Sequence, residues 1–273
     1  MVQPSEPALF NPSPALDPRT TLARPDLAVQ ALEGLVRARA FRAAEPLRGR
    51  APVADIHAEA SQSSERIDQL LFGEVFDGLE RRGDRVWGQA RRDGTVGWVD
   101  AEALAPAVAL PTHRVAAVDA DLPLNALVRA GDDVGPDLVE IGLFGDDPVT
   151  VAERLLGVPH ALGARSSRAT DCSGLVQQAL LACGLPGPRR AHEQAALGTD
   201  VARAQARRGD LAIWLDVRPG QSWTGHSAFV LDADRVLHAT GHHGAVVIEA
   251  FAEADARCRA DGFQPVIFRR IRP

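Results

Sequence analysis

Thr170-Asp171-Cys172-Ser173-Gly174-Leu175-Val176 reads as the start of a helix, and its reading decides what the rest of the chain must supply. Thr170 or Asp171 can cap the helix. Leu175, Val176, Ala179, Leu180 and Cys183 then recur at helical spacing, and Gly184 with Pro186 ends the run. Cys172 falls in the first turn, where unpaired backbone N–H groups and the helix dipole favour an anion. This predicts a lowered thiol pKa and makes Cys172 a candidate nucleophile. The alternative is a small buried residue on a core helix, and the partners available to the thiol decide between the two.

Downstream, Leu211–Leu215, Gly225–Leu231, Arg235–Ala239 and Ala245–Glu249 read as strands, followed by a polar-faced helix over Phe251–Ala260 and a last strand over Pro265–Arg270. Val149–Leu156 reads as a further helix. Helices followed by an antiparallel meander predict an α+β domain from Pro148 to the end. His226 and His238 lie on consecutive strands joined by a tight turn near Asp232–Asp234. Their even separation puts both on one face, opposite or diagonal to each other. One imidazole can then act on Cys172 while the other fixes its ring and tautomer. The site is complete if the cysteine helix packs on that same sheet face.

Residues 1–50 contain a proline-rich lead-in and a weak amphipathic pattern predicting one short helix within Asp26–Ala44. From Ala51 to about 106 the pattern turns to short strands, with Asp93-Gly94 a strong hairpin signal, which predicts a small all-β barrel. Trp98 is either a core residue of that barrel or a rim contact for a ligand. Within 107–147, His113–Val118 and Asp137–Phe144 read as strands, too few for a second full barrel.

Thirty basic against thirty-six acidic residues give a net charge of −6, which argues against nucleic acid or an anionic membrane as the main partner. Three cysteines do not suggest a disulfide framework. No apolar run reaches the length of a membrane span, and Met1–Arg24 does not read as a signal peptide. The expected location is the cytoplasm.

Asp171-Cys172-Ser173-Gly174-Leu175-Val176, Arg208-Gly209-Asp210-Leu211, Gly225-His226 and Leu237-His238-Ala239, in this order, resemble the NlpC-type family of cell-wall cysteine peptidases. The strands around "RVWGQA" and "DGTVGWV" resemble a bacterial SH3-like domain. The resemblance implies an α+β, papain-like catalytic domain over 148–273, preceded by an SH3-like domain over 51–106. Residues 107–147 would form a shortened second module or a β-rich connector. It also implies hydrolysis of the γ-D-glutamyl to L-diamino-acid (diaminopimelate) bond of peptidoglycan stem peptides, as free muropeptides in recycling. Cys172 would be the nucleophile, His226 the general base and His238 its orienting group. The N–H of Cys172 would serve the oxyanion, while Asp171, helped by Ser173, would receive the free amino group of the peptide. No metal or cofactor is implied. Many family members carry Tyr-x-Trp-Gly-Gly before the cysteine. Here the matching stretch is His160-Ala-Leu-Gly-Ala164, and the chain has no tyrosine. His160 either replaces the phenol as a donor or is a loop histidine. His242 and His243 shape a wall of the substrate groove more readily than they bind zinc. Alternatives are a related thiol hydrolase or acyltransferase with another substrate, and a catalytically weak muropeptide-binding protein.

Overall fold

Short apolar runs broken by glycine and charged turns give the N-terminal half its strands. The structure is a computed structural model that describes residues 16–61, 63–129, 132, 137–218 and 223–272. Most of the proline-rich lead-in, 1–15, lies outside the described residues. Ala28–Val29 (β1) pairs in parallel with Phe41–Arg42 (β2). Between them is one 3₁₀ turn, Gln30–Leu32, instead of the amphipathic helix expected within Asp26–Ala44. Gly34 follows it at φ +82°, and Leu35 is exposed, so this stretch has no apolar face to dock.

Glu45–Gly49 (β3), Val53–His57 (β4), Arg66–Leu71 (β5), Val75–Arg82 (β6), Arg85–Ala90 (β7), Val96–Asp100 (β8) and Leu104–Pro106 (β9) form one antiparallel sheet in the order β5-β4-β8-β7-β6-β3-β9. Strand β5 escapes a sequence reading because Asp68, Gln69, Leu70 and Leu71 are all buried, which removes the alternation that marks a half-exposed strand. Ile56, Leu70, Phe76 and Val99 make one core of this domain. Trp87 and Trp98 make another with Leu22 and Leu27 of the N-terminal segment.

A second, small sheet orders His113–Val115 (β10), Leu127–Val128 (β11) and Leu138–Glu140 (β12) as β11-β10-β12. The strands are shorter than their sequence patterns suggest, and Ile141, Leu143 and Phe144 stay exposed. Val115, Ala126 and Val128 pack against Phe72 of the first sheet. Asn125, in the left-handed region at φ 67°, donates from its side-chain amide to the Gln178 carbonyl and side chain.

The C-terminal domain holds Pro148–Glu153 (α1), Cys172–Ala182 (α2), Ala191–Gln194 (α3) and Phe251–Ala260 (α4). Its strands are Thr199–Val201 (β13), Leu211–Leu215 (β14), Gly225–Val230 (β15), Arg235–Thr240 (β16), Ala245–Ala250 (β17) and Ile267–Arg270 (β18), in the order β13-β18-β14-β15-β16-β17. Helices α1 and α2 cover the face carrying Leu211, Ile213, Phe229 and Leu237. Helix α4 covers the other, carrying Ala212, Trp214, Ala228 and Val236. Helix α2 is buried almost all round, as a core helix should be.

The two domains meet through buried charge. Arg165 donates to Asp68 (3.1 Å) and to Glu74 of the β5–β6 region. Arg189 donates to Asp68 (2.6 Å) and also to Asp171 (2.7 Å) at the cap of α2. Asp93 accepts from the Gln177 amide of α2 at 2.9 Å. Arg92 adds a further bond to Glu74 at 3.0 Å. Asp68 Oδ2 finds no donor among the described residues. Burial, with Asp93 beside it, pushes the Asp68 carboxyl up to about 7. A protonated Asp68 can donate to Asp93. Glu74, Asp93 and Asp171 then balance Arg92, Arg165 and Arg189.

An acid whose folded pKa is raised stabilises the fold at low pH and loses that contribution as pH climbs to the folded value. Asn is isosteric with the protonated acid. The stability of Asp68→Asn relative to the unmodified protein should therefore rise between pH 3.8 and about 7, by up to about 1.4 kcal/mol per pH unit. Urea unfolding across that range tests this, and a constant difference between the two proteins would overturn it.

Candidate active site

The Asp171 carboxylate fixes the start of α2. Its oxygens accept from the N–H of Gly174 (2.7 Å) and of Gly163 (2.9 Å), and both accept from Arg189. Ser173 donates to it and accepts from Arg189. Both side chains are buried. Both nevertheless line the cleft, and Asp171 already has Arg189 as a positive partner there. Gly163 reaches Asp171 at φ +73°, with the Arg66 carbonyl where a Cβ would stand.

Cys172 is the first residue of α2, before intrahelical bonding supplies acceptors for its N–H. Its Sγ lies 4.0 Å from the Gly225 carbonyl at the open end of β15. Gly225 sits at φ +146° with the Trp214 carbonyl 2.3 Å from where a Cβ would be, so a side chain here would push the strand away.

His226 and His238 share a face, as their spacing predicts. The register Phe229↔Leu237 places them diagonally, and His226 Nε2 is 2.8 Å from His238 Nδ1. The face differs from expectation. Both have the parity of Ala228 and Val236 and project on the α4 side, whereas α2 packs on the opposite one. Cys172 shares the cleft with His226 past the end of β15 rather than across the sheet.

Two further residues extend the relay. His238 Nε2 lies 2.8 Å from Glu249 Oε2, and Arg257 of α4 holds both Glu249 oxygens at 2.6 Å. Glu249 pairs with Val236 and His238 with Val247, so all four share a face. The short turn between β16 and β17 sets that register, which is the signal by which the sequence could have revealed Glu249. A carboxylate only accepts, so His238 carries its proton on Nε2. Its Nδ1 then accepts from His226 Nε2–H, which leaves His226 Nδ1 unprotonated, a base for the thiol.

Burial sets the resting charges. It pulls His226 well below the usual imidazole value and His238 down to about 4 despite Glu249. Hydrogen bonds from Arg257 hold Glu249 down to about 2. Burial, with the Asp171 charge adding to it, pushes the Cys172 thiol up to about 12, against the pull of the Ser227 and Ser173 N–H groups. The lowered thiol pKa expected from the helix terminus is thus not what the site holds. Burial outweighs the dipole and favours the neutral thiol and imidazole, even though Cys172 is half-buried at the cleft.

The cleft over Cys172 has a volume of about 880 Å³. The N-terminal domain contributes Ala58, Glu65, Ile67 and Val96 to its wall, and the segment before it Pro18 and Arg19. His160 and His242 line it too, and burial lowers the His160 pKa. Trp98 does not reach it. It is buried against the N-terminal segment, with the Arg82 guanidinium 5.1 Å from its ring centre. His243 is turned aside as well, 3.6 Å from Glu249. Trp223, unremarked in the sequence, lines the cleft. Among the described residues no group of three or more His, Cys, Asp or Glu is placed to hold a metal.

Residues 157–259 match the NlpC/P60 family, and residues 56–104 match the bacterial dipeptidyl-peptidase SH3 domain. The NlpC/P60 match spans most of the C-terminal domain. The chain is 30% identical over 92 residues to murein DD-endopeptidase MepS/murein LD-carboxypeptidase of Escherichia coli K12, covering 33% of this chain and 47% of that one. It is 30% identical over 129 residues to peptidoglycan endopeptidase RipB of Mycobacterium tuberculosis, covering 42% and 48%. The chain thus spans about half the length of these curated relatives. Among solved structures, an NlpC/P60 family protein from Bacillus cereus aligns at a TM-score of 0.40 and 16% identity, over 84% of this chain and 64% of that one. The family match and the observed layers agree on a papain-like α+β domain behind a small β domain.

Two outcomes follow from the neutral resting pair and its relay. Iodoacetamide should modify Cys172 before the buried Cys183 and Cys258, at a rate that climbs through pH 8 and beyond. A plateau already reached near pH 6 would instead reveal a preformed thiolate–imidazolium pair. Glu249→Gln should abolish the low-field N–H proton resonance of His238 and lower turnover by ~10-fold or more. An unchanged resonance would remove Glu249 from the relay.

Proposed function

We propose that the protein is a cysteine-type endopeptidase that hydrolyses the γ-D-glutamyl to L-diamino-acid bond of free peptidoglycan stem peptides, in a cytoplasmic recycling role. The observation that carries this reading is the relay His226–His238–Glu249, opening on the same cleft as Cys172 at the start of a buried helix. The relatives, named as a murein DD-endopeptidase/LD-carboxypeptidase in E. coli and a peptidoglycan endopeptidase in M. tuberculosis, support peptidoglycan as the substrate class. A preference for short free peptides is supported by the wall that the N-terminal domain raises over the cleft. Among the described residues no helix is long and apolar enough to cross a membrane.

In this mechanism the substrate carbonyl lies over Cys172. His226 Nδ1 removes the thiol proton as Sγ attacks, forming a C–S bond, so the thiolate never has to persist in the buried site. The Cys172 N–H donates to the oxyanion. His238 and Glu249 stabilise the imidazolium that forms. His226 returns the proton to the departing amine as the C–N bond breaks. Water then attacks the thioester, with His226 again taking a proton, which releases the carboxylate and restores the thiol. His160, lining the cleft where related proteins carry a tyrosine, favours a second reading in which the same thiol chemistry serves a different amide or ester.

Mass spectrometry of L-Ala-γ-D-Glu-meso-diaminopimelate incubated with the protein should show release of diaminopimelate. Cys172→Ala should reduce that release by ~10³-fold or more. No release by either protein would overturn the assignment of this substrate, and equal release by both would overturn that of the nucleophile.

A further inference from the structure

The reaction needs only a thiol, an imidazole and an oxyanion donor, and none of these explains Arg190. Its side chain is nine-tenths buried yet lines the cleft that holds Cys172. Its Nη1 has no hydrogen-bond partner among the described residues, and the nearest carboxylate oxygen, Glu193 Oε1, stands 3.7 Å away. The other Glu193 oxygen is taken by the backbone N–H of Arg190 itself at 2.9 Å. The neighbouring cations are satisfied: Arg189 is bonded to Asp68 and Asp171, and Arg19, on the same wall, is bonded through both Nε and Nη2 to Asp17. Burial lowers the Arg190 pKa even with Glu193 beside it, as expected for a cation without a full counter-charge. A buried guanidinium with an idle donor is costly unless a ligand completes it.

Its place in the cleft selects the ligand. The leaving amine must stand where His226 can protonate it, and Arg257 and Cys258 of α4 line the cleft with His226. In this reading the acyl portion extends toward Arg189 and Arg190, which line the same cleft beside the cap of α2. A γ-linked glutamyl residue carries its free α-carboxylate on that acyl portion, and a guanidinium fork matches a carboxylate. We propose that Arg190 is the specificity residue that binds the α-carboxylate of the γ-glutamyl unit, so that the protein selects the acid over the corresponding α-amide (isoglutamine). This rests on the peptidase reading above.

Binding can be read apart from turnover by calorimetry in the Cys172→Ala background, with the dipeptide L-Ala-γ-D-Glu and its isoglutamine counterpart as probes. The acid should bind ~10-fold or more tightly than the amide, within the range of charge-assisted hydrogen bonds. Adding Arg190→Gln should erase that difference by weakening the acid alone, and Arg190→Lys should restore part of it. The bonds that the Arg190 backbone makes to α3 survive both substitutions, and circular dichroism reports whether the fold does. Equal dissociation constants for acid and amide, or a preference that survives Arg190→Gln, would overturn the assignment. Failure of the peptidase reading shows elsewhere, as absence of turnover by the unmodified protein.

Discussion

Arg189 is bonded at once to Asp68 of the N-terminal domain and to Asp171, the cap of the helix that carries the nucleophile. The geometry of the site depends on that one guanidinium. Removing the Asp171 carboxylate would leave the buried Arg189 without its charged partner, which typically costs several kcal/mol. Arg165 adds a second link between the domains, to Asp68 and Glu74. The N-terminal domain is therefore part of the catalytic domain's electrostatics, and the wall it raises over Cys172 is held in register by ion pairs that solvent cannot screen.

The same dryness shapes the chemistry. A sulfur left in water at a helix terminus would ionise more readily. Here burial favours a neutral thiol and imidazole, and the charge pair that serves the relay, Glu249–Arg257, stands one step back. That pair orients His238, and His238 orients His226. Charge then appears at the sulfur only as bonds change, which suits a site that must not react with every passing electrophile.

Much of this was legible in residue order. The Asp171-Cys172 helix start and the even spacing of His226 and His238 follow from local rules of capping and pleat. So does the antiparallel meander, with Arg235–Thr240 running directly into Ala245–Ala250. What was not legible came from tertiary burial. Asp68, Gln69, Leu70 and Leu71 read as no strand because both faces are covered. Asp93 reads as a turn residue, which it is, yet it also accepts from Gln177 across the domain boundary. The thiol pKa depends on how much water α4 and the N-terminal domain exclude, a quantity that no short stretch of sequence contains. Trp98, which reads as a possible ligand contact, is occupied by Leu22, Leu27 and the arginines near them.

The ion pairs between the domains also bear on how such a chain can change over generations. Small β domains are commonly exchanged between proteins as interchangeable units, but this one leaves a chemical debt behind. A replacement lacking acids where Asp68, Glu74 and Asp93 stand would abandon Arg165 and Arg189 in a dry interior and loosen the helix bearing Cys172. Recombination at this boundary is restricted to donors with a matching constellation of charge. The two halves are expected to be inherited together, with substitutions on one side answered by substitutions on the other.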